Sequence, residues 1–183
     1  MSLATQPFTG TFVADPAHSS FQFAVGHLVG TFRAGFEDVD ARVVVNESGG
    51  IRFEGVARVA SVSITAPAEL REHVVNGADF FDAANHPEIT FYAEDIRLDD
   101  DGRLSGQGEL TIRGQTKPVV ATGSYRGPVD SPFGQTVAAV ELTATVDRRD
   151  WGMDWQMATP AGGDVLGYDV EVTAQIELVK KEG

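Results

Sequence analysis

The chain has no cysteine, few bases and no long apolar run, and each absence removes a class of function. Without cysteine there is no disulfide and no thiolate metal site, and thiols say nothing of the redox compartment. Only 14 Lys and Arg stand against 27 Asp and Glu, a formal net charge of −13. A phosphate backbone demands a basic footprint, so no nucleic-acid partner is expected. Docking on an anionic membrane surface is disfavoured for the same reason, although a small basic pocket stays compatible with the balance. No segment approaches the roughly 20 apolar residues of a membrane-spanning helix, so no stable membrane span is expected. The N-terminus lacks the basic, apolar and small-residue order of a secretion signal. The expected location is cytoplasmic, or periplasmic or secreted if a signal was removed.

What is present is a period of two. The composition, 42% apolar and 22% charged, is that of an ordinary globular protein, and 183 residues fit one domain, 1–183. Phe21, Phe23 and Val25 share a face with His27 behind them; Phe32, Ala34 and Phe36 form another apolar face. The same alternation runs through Phe53–Gly55–Ala57–Val59, Ile89–Phe91–Ala93, Ala138–Val140–Leu142–Ala144–Val146 and Val170–Val172–Ala174–Ile176–Leu178. Such alternation marks half-buried strands, and eight to ten are expected. Asn46–Gly50 and Asp99–Gly102 read as hairpin turns. Many short strands with turn signals indicate an all-β sandwich or antiparallel barrel. One stretch breaks the period. Pro67 precedes good helix formers, Leu70, Val74 and Val75 share a face, and Asn76-Gly77 ends the run. This predicts a short helix over about Ala68–Asn76 across one end of the sheet.

The strand at residues 104–112 is the most informative. Leu104, Gly106, Gly108, Leu110 and Ile112 face one way; Ser105, Gln107, Glu109, Thr111 and Arg113 face the other. Two of its inward positions have no side chain. Gly55, Ala57, Ala121 and Gly123 share the inward face on other strands. Six small residues in a barrel would leave a dry void suited to an apolar ligand. The alternative is that these glycines mark bulges or sharp bends.

Gly108 to Val119, Gly-Glu-Leu-Thr-Ile-Arg-Gly-Gln-Thr-Lys-Pro-Val, resembles the signature of the YceI family of lipocalin-like polyisoprenoid-binding proteins. Other family-like motifs follow in order: Asp15-Pro16-Ala17-His18-Ser19, His27-Leu28, Ala78-Asp79-Phe80-Phe81-Asp82, His86-Pro87, Arg148-Arg149-Asp150-Trp151-Gly152-Met153 and Gly167-Tyr168-Asp169-Val170. The resemblance covers about residues 8–179. Ala66-Pro67 departs from the family's usual Thr-Gly, and His73 stands one place early in the helix motif. The true lipocalins' early Gly-x-Trp is absent, so the likeness to them is architectural. The resemblance implies an extended antiparallel lipocalin-like β-barrel of about eight strands, enclosing a polyprenyl phosphate, a polyprenyl pyrophosphate or an isoprenoid quinone.

Candidate tunnel-lining residues are Phe21, Phe23, Val25, His27, Phe32, Phe36, Phe53, Gly55, Ala57, Phe91, Gly106, Gly108 and Leu110. His27 reads either as a head-group hydrogen-bond donor or as a satisfied core histidine. Candidates for the head group or mouth are His18, Arg71, Arg113, Lys117, Arg149, Trp151 and Trp155, with Arg148 beside them, because guanidinium forks suit phosphate oxygens. The plain alternatives are surface ion pairs for the cations, a turn-fixing bond for His18 and core packing for the tryptophans. His73 reads as solvated and His86 as a turn residue. No His-x-His or His-x-x-x-His spacing occurs, and Asp99 to Asp101 lacks calcium-loop spacing, so no metal site is expected. No Gly-x-Ser-x-Gly or phosphate-cradling loop appears.

The expected function is binding, sequestration or transport of a long isoprenoid lipid, without catalysis and without a cofactor beyond the bound lipid or quinone. The competing readings are an enzyme or stress-response accessory acting on an apolar substrate, which would need His27 beside a buried carboxylate, and a filled barrel serving as an interaction module. Edge strands leave room for a homodimer.

Overall fold

The computed structural model describes residues 8–182. Ten strands form one antiparallel sheet: Gly10–Ala14 (β1), Ser20–His27 (β2), Gly30–Phe36 (β3), Val39–Val45 (β4), Ile51–Arg58 (β5), Glu88–Leu98 (β6), Arg103–Ile112 (β7), Gln115–Asp130 (β8), Thr136–Asp147 (β9) and Leu166–Lys180 (β10). Eight of them run β1-β4-β5-β6-β7-β8-β9-β10, and pairing of β10 with β1 closes the ring. Strands β2 and β3 prolong this wall. A single 3-10 turn at Pro16–His18 separates β1 from β2. Strand β10 pairs with β2 along its first part and with β1 at its end. The fold is thus a closed eight-stranded barrel in which β1–β2 and β3–β4 each serve as one long, bent stave.

The alternation in sequence is the alternation of burial. On β9, Ala138, Val140, Leu142, Ala144 and Val146 are buried, and the residues between them are not. Tight turns follow local chemistry. Arg113 and Gly114 both take positive φ, 52° and 68°, joining Ile112 to Gln115 in the two-residue hairpin geometry that matches strand twist. Asp99 Oδ1 accepts the backbone N–H groups of Asp101 at 3.0 Å and Arg103 at 2.8 Å, which accounts for the acidic hairpin without a cation.

The barrel has two apolar clusters. The lower one packs tightly: Phe12, Val43, Phe53 and Leu178 are at most 1% exposed. The upper one joins Phe36, Val59, Val62, Ile64, Phe81, Leu110, Ile112, Trp151 and Met153 to the helix residues Val74 and Val75. That helix, Ala68–Asn76 (α1), has the bounds its sequence predicts. Beside β3, where β4 alone meets β5, the chain at 59–64 completes the wall. Ser63 N–H donates to the Gly35 carbonyl at 2.8 Å, and its Oγ accepts Gly35 N–H at 2.9 Å.

The small inward residues are small for different reasons. Strand β6 carries a bulge: its Ala93 and Ile96 face Phe53 and Ile51 on β5, three steps against two. A Cβ at Gly106 would come within 3.1 Å of Ile96 Cα and 3.2 Å of the Asp95 carbonyl oxygen. Gly106 is therefore small because a bulged neighbour approaches it. A Cβ at Gly108 would strike the Phe91 ring and sit 2.8 Å from the Tyr92 carbonyl oxygen, and one at Gly123 would overlap the Glu141 backbone. These three glycines admit neighbouring atoms; they do not hollow the interior.

Candidate functional site

The interior is nonetheless hollow. A cavity of about 410 Å³ occupies the upper half of the barrel, within the size range of small-molecule sites. Its wall is aromatic and aliphatic: Phe21, Phe23, Val25, Phe32, Phe36, Phe53, Ile89, Phe91 and Leu110. The small residues that line it are Gly55, Ala57, Ala121, Ala144 and Ala174. At Gly55 a Cβ would meet the rims of the Phe21 and Phe53 rings at 3.1 Å, so two rings lean into the space a side chain would fill. The packed lower cluster is the floor.

The open end is rimmed by α1, the segment at 77–82 and the chain between β9 and β10. Leu70, His73, Phe80, Trp155 and His27 line it there. His73, Phe80 and Trp155 form a ring trio, with centroids 5.0, 5.7 and 6.2 Å apart. His73 Nε2 lies 2.9 Å from Asp79 Oδ1, which fixes the imidazole. Outside the trio and His27 the rim carries large apolar side chains: Leu28, Val29, Leu70 and Met157 are exposed. Leu28 N–H donates to the Val165 carbonyl at 2.9 Å, and Val165 N–H to the Met157 carbonyl at 3.0 Å, so the β2–β3 tip and the β9–β10 connection form one edge.

Among the described residues the lining contains no Asp or Glu. Its one buried charge is Arg148, 3% exposed. The guanidinium donates to the carbonyls of Gly167 at 2.7 Å, Met153 at 2.6 Å and Leu166 at 3.3 Å, and lies 4.8 Å from the centre of the Tyr168 ring. Burial pushes its pKa down from the usual arginine value. Arg148 thereby ties the β9–β10 connection to the start of β10.

Of the sequence candidates for lining, Gly106 and Gly108 do not line the cavity, for the packing reasons given above; the other eleven do. Of the mouth candidates, Trp155 and Arg148 line it, and the Arg148 guanidinium is spent on the carbonyls named above. Trp151 is core, 1% exposed, with Nε1 donating to the Leu110 carbonyl at 3.3 Å. Arg113 donates to the carbonyls of Gly152, Trp151 and Ala78, and so staples the β7–β8 turn to two loops. Arg71 donates to the Ala60 carbonyl at 2.6 Å. Arg149 grips Asp147 and stacks over Tyr168 at 4.1 Å. Lys117, opposite Leu110 on β8, is half-buried outside the lining. His18 sits far down the outer seam, against Asp15 and Glu177. His73, read from sequence as solvated, is instead part of the rim. Leu70, His73 and Val74 lie one helical turn apart, a spacing that carried this signal. Phe80, which also lines the cavity, was missed because no strand or helix period reaches it.

The YceI-like domain pattern matches residues 12–178. The chain belongs to the YceI-like family. A family relative in Staphylococcus aureus strain MSSA476, UPF0312 protein SAS2572, is 29% identical over 169 residues, covering 91% of this chain and 96% of that one. Three solved structures share the fold. Burkholderia cenocepacia BcnA superposes with a TM-score of 0.73 at 16% identity, over 92% of this chain and 99% of its own. A Campylobacter jejuni YceI protein gives 0.70 at 22%, over 86% and 90%. A polyisoprenoid-binding domain from Saccharophagus degradans gives 0.69 at 11%, over 94% and 99%. The YceI-like barrel is thus common to proteins that share little sequence, as expected where alternation and turn chemistry specify the fold.

Proposed function

We propose that this YceI-like barrel binds one long-chain isoprenoid lipid, tail first, and sequesters or carries it. The observation that carries this reading is the 410 Å³ cavity, walled by phenylalanines, lacking carboxylates and open at one end. Each buried CH₂ contributes about 0.8 kcal/mol, so a five-carbon unit gains roughly 4 kcal/mol before its loss of freedom is counted. A branched, unsaturated chain suits a wall of tilted rings such as Phe23–Phe32 and Phe53–Phe91, with centroids 6.2 and 5.7 Å apart. The fold is shared with a domain described as polyisoprenoid-binding, which supports the ligand class. A polyprenyl phosphate or pyrophosphate, or an isoprenoid quinone, would leave its head among His27, His73 and Trp155.

Binding is favoured over catalysis by one feature. A general acid–base pair needs two polar groups within hydrogen-bond reach. His27 has no carboxylate partner among the described residues, and the His73–Asp79 pair sits at the rim, beside water. The decisive experiment is extraction of the protein purified from its native host, with mass spectrometry of the extract, followed by titration with polyprenyl phosphate and a matched quinone. A stoichiometric isoprenoid, or saturable binding of either probe, is the expected result. A cavity that retains no apolar ligand and binds neither probe refutes the reading.

A further inference from the structure

The turn that separates β1 from β2 places three ligand-bearing side chains together on the outside of the barrel seam. His18 Nδ1 lies 3.1 Å from Asp15 Oδ2 and 3.7 Å from Glu177 Oε1, and the three donor atoms all lie within 4.8 Å of one another. Their backbones are held. Asp15 N–H donates to the Glu177 carbonyl at 2.8 Å. Ser19 Oγ accepts Glu177 N–H at 3.2 Å and donates to the Glu177 carbonyl at 3.3 Å. Asp15 Oδ1 accepts Ala17 N–H at 2.8 Å, which leaves Oδ2 turned to the imidazole. Asp15 and Glu177 thus both turn a carboxylate oxygen to the same imidazole nitrogen.

A zinc ion bound by nitrogen and oxygen at about 2.0–2.1 Å holds tetrahedral donors about 3.3 Å apart. The two measured separations bracket that spacing. We propose that Asp15, His18 and Glu177 form a surface site for a borderline divalent cation of the Zn²⁺ class, which clips the β1–β2 break to β10. One imidazole nitrogen with two carboxylate oxygens suits such ions better than Ca²⁺ or Mg²⁺, which take oxygen ligands. The His18 side chain is 62% exposed, so water completes the coordination. A metal takes only the unprotonated imidazole nitrogen, so proton and metal compete for Nδ1. None of the three residues lines the cavity, so the site is independent of the lipid reading.

The test is isothermal titration of the chelator-treated protein with ZnCl₂, in two buffers of different ionisation enthalpy, beside His18→Ala and Glu177→Gln. The expected result is one Zn²⁺ per chain, proton release near neutral pH, an affinity at least tenfold lower in both variants, and no displacement by excess Mg²⁺. Because the three side chains are at the surface, circular dichroism of the variants should match that of the parent. Absence of saturable binding, or equal affinity in parent and His18→Ala, overturns the proposal. On the parent alone, Zn²⁺ affinity that does not fall as pH drops below 6 overturns it too.

Discussion

Gly123 and Ala144 both lie on small inward-facing positions of neighbouring strands, yet they should respond to substitution in opposite ways. A Cβ at Gly123 would overlap the Glu141 carbonyl group and lie 3.0 Å from Leu142 Cα. Those are backbone atoms of β9, which cannot rotate away. Overpacking of this kind costs about 1–3 kcal/mol. For a domain of this size each kcal/mol lowers Tm by roughly 2–4 °C, so Gly123→Ala should melt about 2–12 °C lower. The folded fraction should bind lipid as before, because Gly123 does not line the cavity. Ala144 is 9% exposed and does line it. Leucine there projects three more carbons into the space a tail would fill. Displacing three CH₂ groups of ligand forfeits about 2.4 kcal/mol, roughly a 50-fold loss of affinity. Its Tm without ligand should change little, since the added side chain enters a void. Calorimetric melting and titration with polyprenyl phosphate read the two effects separately. If Gly123→Ala abolishes lipid binding at an unchanged Tm, or Ala144→Leu binds as tightly as the parent, the assignment of hollow and packed positions is wrong.

Three further outcomes are expected. Tyr125 stacks on Phe8 with centroids 4.2 Å apart, its hydroxyl is buried without a partner among the described residues, and burial pushes its pKa well above the usual tyrosine value; Tyr125→Phe should leave Tm unchanged or raise it, and a fall would show that the hydroxyl is satisfied in solution. Trp155 lines the mouth and Trp151 is core, so isoprenoid addition should shift tryptophan emission in the parent and not in Trp155→Phe; a persistent shift would place the ligand elsewhere. His18 has a raised pKa through hydrogen bonding to Asp15, and Asp15 a lowered one through the same bond. In metal-free protein the His18 contribution is therefore full below its unfolded value near 6.5 and lost as pH rises through its folded value, while the Asp15 contribution is lost as pH falls below the unfolded 3.8. Urea titrations of the parent and His18→Ala should converge above pH 9, and a stability gap that widens there would contradict the pairing.

The architecture was legible because burial follows period two on nearly every strand. Phe21, Phe23, Phe53 and Phe91 could be placed inside from their neighbours alone, and α1 from Pro67 and its apolar spacing. The mouth was less legible. Arg113 and Arg149 carry the right chemistry for a phosphate, but their partners, the Gly152 carbonyl and Asp147, show only in three dimensions. Glycine was ambiguous for a physical reason: Gly55 and Gly108 look alike in sequence, and only the position of the Phe21 and Phe91 rings tells which one leaves room. The Asp15–His18–Glu177 cluster joins an i,i+3 pair to a glutamate 159 or more positions further on, and nothing in the sequence brings Glu177 to that pair.

The order of pairing also bears on when the barrel can hold anything. Each stave pairs with the one that follows it in the chain, until β10 returns to β1 and β2, Phe12 meeting Lys180 and Phe21 meeting Ala174. On the ribosome the wall can assemble progressively as the chain emerges, but the last stave arrives only when synthesis has reached residue 166 and beyond. Until then the sheet is an open trough with its phenylalanines facing water. A ligand chamber exists only after that seam shuts, so loading belongs to the finished chain, and a nascent chain stalled before β10 is the form most exposed to aggregation.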